Sequence, residues 1–173
     1  AMHNKKLLSK NDRRQGMTLA AIRELQICQK MKKHCNVVEL KAVIRSMEKE
    51  DQLNVVGNTW IVYEFCPLDL SGLLQARKHL RGKEEFPFSV PETKSIIHQI
   101  LKGLAWLHGQ GIVHRDMKVG NLLLDANGYI KLADQGLARY MDDSKNPGPY
   151  TKKVVTLWYR APELLLMSKY YTE

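Results

Sequence analysis

The run His114-Arg115-Asp116-Met117-Lys118-Val119-Gly120-Asn121 constrains this chain more than any other feature. It packs a histidine, two cations, a carboxylate and an amide into one short stretch, and the segments on either side have readable structure. Upstream, Ile97, Ile100, Leu101, Leu104 and Leu107 recur at helical spacing, predicting a helix over 90–108 with these residues on one face. Ser89 and Glu92 form a capping box with Pro91 early in the first turn, and Gly109 and Gly111 stop the helix. Downstream, 122–124 and 129–132 read as short strands around Asn127-Gly128, a two-residue hairpin signal. The polar run is therefore a loop pinned between a long helix and a hairpin. Asp134-Gln135-Gly136 begins thirteen residues after Asn121, and Ala161-Pro162-Glu163 closes the segment. Residues 133–159 have no long periodicity, and such stretches are usually functional or disordered.

The first half is plainer. Residues 1–4 look like a cut or non-native edge, and 9–16 are polar. A helix begins near Thr18, with Ala21, Leu25 and Cys28 on one stripe and Glu24 on its flank. Residues 37–47 and 59–65 read as strands separated by a long polar turn at 48–58. A short helix is expected over 71–80, followed by a polar insertion at 81–88. The composition, 44% hydrophobic and 26% charged over 173 residues, fits a folded domain. No apolar run approaches the ~18 residues of a membrane helix, so no membrane association is expected. Three cysteines are too few for a disulfide framework and suggest a reducing compartment, nucleus and/or cytoplasm. The histidines and cysteines show no zinc-ligand spacing. The net charge of +9 favours acidic or phosphate-bearing partners. Its lysines and arginines are scattered without interleaved aromatics, so solvated faces are the default and no direct nucleic-acid binding is expected.

The chemistry these residues suit is phosphoryl transfer. That reaction needs a carboxylate to orient the attacking hydroxyl, oxygen ligands for Mg²⁺ and cations for the phosphates. Asp116 fits the first need, Asn121 and Asp134 the second, and Lys118 the third. Asp116 is a better base than His114.

Together, His-Arg-Asp-x-Lys-x-x-Asn, Asp-x-Gly and Ala-Pro-Glu resemble a eukaryotic protein kinase. The run from Thr156 to Glu163 and Ala21-Ile22-Arg23-Glu24 resemble the cyclin-dependent kinases. The His-Arg-Asp-Met-Lys run and the stretch from Tyr150 to Val155 resemble the transcription-type members most. The resemblance implies an α+β, two-lobe kinase-like fold: a partial small lobe at 1–65 with a cyclin-contacting helix, and a partial large lobe at 66–173 with the catalytic loop and activation segment. It implies ATP and Mg²⁺ as cofactors, a cyclin-like regulatory subunit, an activating kinase, and protein substrates with Ser/Thr-Pro sites. Lys6 stands at the position of the ATP-contacting lysine that pairs with Glu24. Tyr63 matches the gatekeeper beside the hinge, where backbone groups of Glu64 and Cys66 bond adenine. Asp69 meets the ribose, and Leu123 also belongs to the nucleotide site. Arg23, Arg115 and Arg139 converge on the position of Thr151, whose phosphate charge-assisted bonds would hold. Thr156 contacts Asp116, while Val155 and Arg160 shape a pocket for proline.

Three departures qualify the resemblance. His3-Asn4-Lys5 replaces the small apolar residues that usually precede the lysine. Gln135 replaces an apolar residue and, if buried without partners, costs ~1–3 kcal/mol. No G-x-G-x-x-G phosphate loop occurs, and the chain ends ten residues after Glu163. Against the family the chain is expected to be a middle slice truncated at both ends, poorly stable and weakly active or inactive by itself. The alternative function is a catalytically impaired, pseudokinase-like binding module or an inactive fragment of a longer kinase.

Overall fold

A computed structural model describes residues 3–7, 19–45, 48–51, 54–56, 59–81, 85–141 and 157–166. Thr151 and Thr156 lie outside them, as do the polar stretch 9–16 and Val155. The architecture is α+β, with antiparallel sheets and segregated helices. Strand β1 (His3–Leu7) pairs antiparallel with one side of β5 (Thr59–Glu64), and β2 (Leu40–Arg45) with the other. The continuous apolar run of β5 centres this sheet: Ile61, Val62 and Tyr63 are buried, Ile61 fully. His3 and Asn4 begin β1, where β5 offers them a strand edge. The turn expected at 48–58 is corrected. It contains a hairpin of β3 (Glu48–Asp51) and β4 (Asn54–Val56), in which Val55 and Val56 supply the strand propensity that the charged partner strand lacks.

Helix α1 (Leu19–Lys30) packs its predicted stripe inward: Ala21, Leu25 and Cys28 are buried. Glu24 does not sit on the flank as expected but is buried among them, at 2% exposure. The short strand β6 (Leu68–Asp69) leads into α2 (Leu70–Arg81), whose start Asp69 caps by accepting from Gly72 N at 2.9 Å.

Helix α3 (Val90–Gly109) has the predicted capping box. Ser89 N donates to Glu92 Oε2 at 2.8 Å, and Glu92 N donates back to the Ser89 hydroxyl at 3.4 Å. Arg77 joins α2 to this cap through Glu92 (2.7 Å) and lies over the Phe88 ring. The Ser89 backbone N–H, then Arg77 and the Ser89 hydroxyl, draw the Glu92 carboxyl down from 4.5 to about 2. A folded value below the unfolded one means the cap contributes fully above about pH 4.5 and is lost as pH falls toward 2. Glu92→Gln is therefore expected to lower stability at pH 7 and to match the unsubstituted protein near pH 2. Denaturation monitored by circular dichroism checks this, and a difference that persists unchanged at low pH refutes it.

The predicted apolar face of α3 is rotated. Gly103 and Leu107 are buried and Ile100 and Leu104 half-buried, but Ile97 and Leu101 are 50% and 57% exposed. The contact with the following strands covers only one side of that wide stripe.

Strand β7 (Ile112–Val113) follows α3, and β8 (Leu122–Leu124) pairs with β6 and with β9 (Ile130–Leu132). The β8–β9 turn is wider than two residues. Asp125 Oδ1 accepts from Asn127 N and Tyr129 N, and only Gly128 takes a positive φ, +87°. A two-residue type I′ turn needs positive φ at both central residues; here the Asp125 side chain supplies the turn instead. Strand β10 (Arg139–Tyr140) pairs with β7, and a short α4 (Pro162–Leu165) lies beyond. Leu107, Ile112, Ile130 and Leu132 centre one core cluster. Leu25, Cys28, Val38, Ile61, Tyr63 and Ala133 form a second, and α1 serves both through Ile27 and Leu25. No described helix is long and apolar enough to cross a membrane.

Candidate active site

The loop after β7 enters through Arg115, whose φ of 63° is left-handed and sterically costly for a residue with a Cβ. The arginine is anchored where it turns: its Nε donates to Leu137 O at 2.8 Å. His114 is buried, and its ring nitrogens serve the backbone. Asp116 N donates to Nδ1 at 3.3 Å, so Nε2 carries the proton and donates to Ala133 O at 3.0 Å. Burial pushes its pKa below the ordinary range, which leaves the ring neutral and engaged in holding the loop to the chain before Asp134.

Asp116 is 5% exposed. Lys118 Nζ reaches its Oδ2 at 2.7 Å, and Asn121 Nδ2 donates to the same oxygen at 3.0 Å and to Asp116 O at 2.8 Å. The expected trio thus meets on one carboxylate. Because the Asn121 amide nitrogen is committed to Asp116, its Oδ1 is the atom left to ligate a cation. Asn121 O accepts from Ala133 N at 2.9 Å, which brings the loop against the residue before Asp134.

Asp134 is exposed and left-handed, with φ 63° and ψ 67°. A Cβ on Gly136 would lie 3.3 Å from Asp134 Oδ1 and 3.5 Å from Glu24 Oε2, so this glycine lets both carboxylates close around the turn. Gln135, at 1% exposure, has the partners its burial demands: its Nε2 donates to Leu132 O at 3.2 Å, and the Cys28 thiol reaches its Oε1 at 3.8 Å. An amide oxygen and an exposed carboxylate make a hard-oxygen pair that fits Mg²⁺. No group of three His, Cys, Asp or Glu suited to a metal occurs among the described residues.

The nucleotide-site residues expected from the resemblance fall mainly around β5. Lys6 is on β1 opposite Ile61, though its side chain lies outside the described part. Tyr63 donates its hydroxyl to Glu24 Oε1 at 2.6 Å. Glu64 N is taken by Glu39 O at 3.0 Å, and burial pushes the Cys66 thiol up to about 11, away from thiolate chemistry. Leu123 packs against the second core cluster. Asp69, read as a ribose contact, is the α2 cap in this structure. Arg115 and Arg139 both reach the backbone at 137–138, the latter through Nη1 to Ala138 O at 2.7 Å, while Arg23 is exposed on α1.

Sequence reasoning missed Lys131 and Asn36. Lys131 Nζ meets Glu64 Oε1 at 3.0 Å, and the same oxygen accepts from Glu39 N at 2.8 Å. Asn36 Nδ2 donates to Ile130 O and to Gln99 Oε1, while Leu132 N donates to Asn36 O. These bonds suspend β9, and with it Asp134, between α3 and the segment before β2. The partners of the Asn36 and Lys131 side chains lie 63 to 94 residues away, so no local pattern announces them.

Residues 2–173 match the family described as "Protein kinase domain". The chain is 41% identical over 170 residues to "Cyclin-dependent kinase 9" of Danio rerio and to that of Homo sapiens, and 42% identical over 172 residues to "Cyclin-dependent kinase 9-B" of Xenopus laevis. Each match covers 96% of this chain but 43% of the relative, so the chain spans less than half the length of these proteins.

Proposed function

The chain belongs to the protein kinase family, and on that premise we propose that the protein transfers the γ-phosphate of ATP to Ser or Thr in proline-directed sites of proteins. One observation carries this: a buried carboxylate, Asp116, held by Lys118 and Asn121 beside an exposed Asp134. Asp116 orients the substrate hydroxyl and accepts its proton, and Lys118 steadies the transferred group. Asn121 Oδ1 and Asp134 are the residues that would hold Mg²⁺, which neutralises phosphate charge when bound. The backbone of Glu64 and Cys66 faces adenine, with Lys6 and Glu24 on the phosphate side and Thr156 at Asp116. A cyclin-like subunit docks on α1. An activating kinase modifies Thr151, which Arg23, Arg115 and Arg139 then receive. The small lobe ends near residue 65, and the protein works in the nucleus or cytoplasm.

Similarity to proteins named as cyclin-dependent kinases supports the partner and the substrate class. Gln135 is one ground for the impaired-module alternative, and its bonds to Leu132 and Cys28 answer the burial cost argued for it.

The test is transfer of labelled phosphate from Mg-ATP to Ser-Pro peptides by the full-length protein, with and without a cyclin. Transfer that requires Mg²⁺ and rises with the cyclin is expected. A Mg-ATP-induced rise in melting temperature with no transfer under any condition would leave only the binding-module reading.

A further inference from the structure

We propose that Tyr63 is a positioning residue that latches α1 against β5 by donating its hydroxyl to the Glu24 carboxylate, a role that rests on reading Glu24 and Asp134 as parts of the phosphate-transfer site. The bond is 2.6 Å long, joins residues 39 apart in the chain, and is buried at both ends, with Tyr63 at 9% and Glu24 at 2% exposure. Its two ends serve different elements. Glu24 Oε1 accepts the hydrogen bond from the tyrosine, while Oε2 faces the Asp134–Gly136 turn, 3.5 Å from where a Gly136 Cβ would stand. The carboxylate therefore spans the gap between the strand leading to the hinge and the turn carrying Asp134.

The ring itself asks for no hydroxyl. It packs with Leu25, Val38 and Ile61, which a phenylalanine would do equally well. The oxygen is what the tyrosine adds, and without a partner it would be a costly buried group. Burial first, with the Glu24 bond adding to it, holds the phenol far above its ordinary pKa, so it remains a donor throughout the physiological range. A neutral donor fixes the Glu24 side chain without supplying a competing cation, so it does not displace the pairing with Lys6 that the family reading assigns. Helix α1 is thus tied to β5 from within the chain.

The experiment compares the full-length protein with Tyr63→Phe, Glu24→Gln and the double variant, reading amide exchange in α1 alongside kcat and KM for Mg-ATP. Losing a buried bond to a charged acceptor is expected to speed α1 exchange about tenfold and lower kcat about tenfold in Tyr63→Phe, with KM changed less than about threefold. Glu24→Gln keeps an oxygen that accepts from Tyr63, so its α1 exchange stays near that of the unsubstituted protein until Tyr63→Phe is added. A role limited to packing leaves both readouts unmoved. Unchanged exchange and kcat in Tyr63→Phe overturn the latch while leaving the kinase reading intact. Faster α1 exchange in a protein that never transfers phosphate sustains the latch and removes the kinase reading.

Discussion

Replacing Asp116 with asparagine is expected to slow phosphate transfer by about 10²–10⁴-fold, the range a positioned general base supplies. The substitution is nearly isosteric, and the geometry dictates which way the new amide turns. Lys118 Nζ and Asn121 Nδ2 both donate to Oδ2. Only an oxygen satisfies two donors, so the asparagine keeps its carbonyl toward them and presents its NH₂ where Oδ1 stood. That group donates to a substrate hydroxyl where the carboxylate accepts from it, and the lone pair that would take the proton is gone. Lys118 also loses its counter-charge. The fold should persist, because the loop's other ties, from His114 to Ala133 O and from Asn121 to Asp116 O, do not use this carboxylate. Single-turnover rates at saturating ATP and peptide, with circular dichroism as the structural control, decide the matter. A rate within about threefold of the unsubstituted protein would remove Asp116 from the reaction.

The second large effect concerns stability, and two principles predict opposite signs for it. Gly103 lies in the interior of α3, where helix propensity alone says that alanine stabilises by roughly 1 kcal/mol. The surroundings say otherwise. A Cβ there would stand 2.8 Å from Asn36 O and 2.9 Å from Leu132 Cδ1. The carbonyl is backbone and already accepts from Leu132 N at 2.9 Å, so it cannot swing aside without loosening β9. Overpacking of this kind typically costs about 1–3 kcal/mol, and with unyielding backbone on one side the upper part of that range applies. We expect Gly103→Ala to destabilise by about 1–2 kcal/mol net once the propensity gain is subtracted. Urea denaturation of the full-length protein measures it, and an increase in the midpoint would show that α3 can move away from β9.

Much of the fold was legible where neighbours along the chain decide structure. The cap at Ser89 and Glu92, the helix it begins, the strands flanking Asp125 and the trio around Asp116 all draw on residues within a few positions of one another. Reading fell short where distant partners decide, and where an element's own residues carry little propensity. Glu24, expected on the flank of the stripe, is buried instead, because a tyrosine 39 residues away donates a hydrogen bond to it. Asp69, read as a ribose contact, also has a local obligation to the helix it precedes. The hairpin at 48–56 was invisible because its first strand is entirely charged and takes its register from the valines opposite. Lys131 gave no sign at all: an alternating Ile-Lys-Leu strand suggests a solvated lysine, and its counter-ion lies 67 residues upstream.

That lysine has a mechanical consequence. Lys131 stands three residues before Asp134, on a strand stiffened by bonds to Asn36 and Gln99. Its other end is Glu64, next to the segment assigned to adenine, and Glu64 in turn grips the backbone at Glu39. The arrangement is a short lever with one arm at Asp134, the carboxylate proposed for the metal, and the other at the proposed purine subsite. A tilt of β9 that shifts Asp134 pulls on Glu64 in the same motion, so under the proposed function the two ends of a bound nucleotide would be gripped or released together.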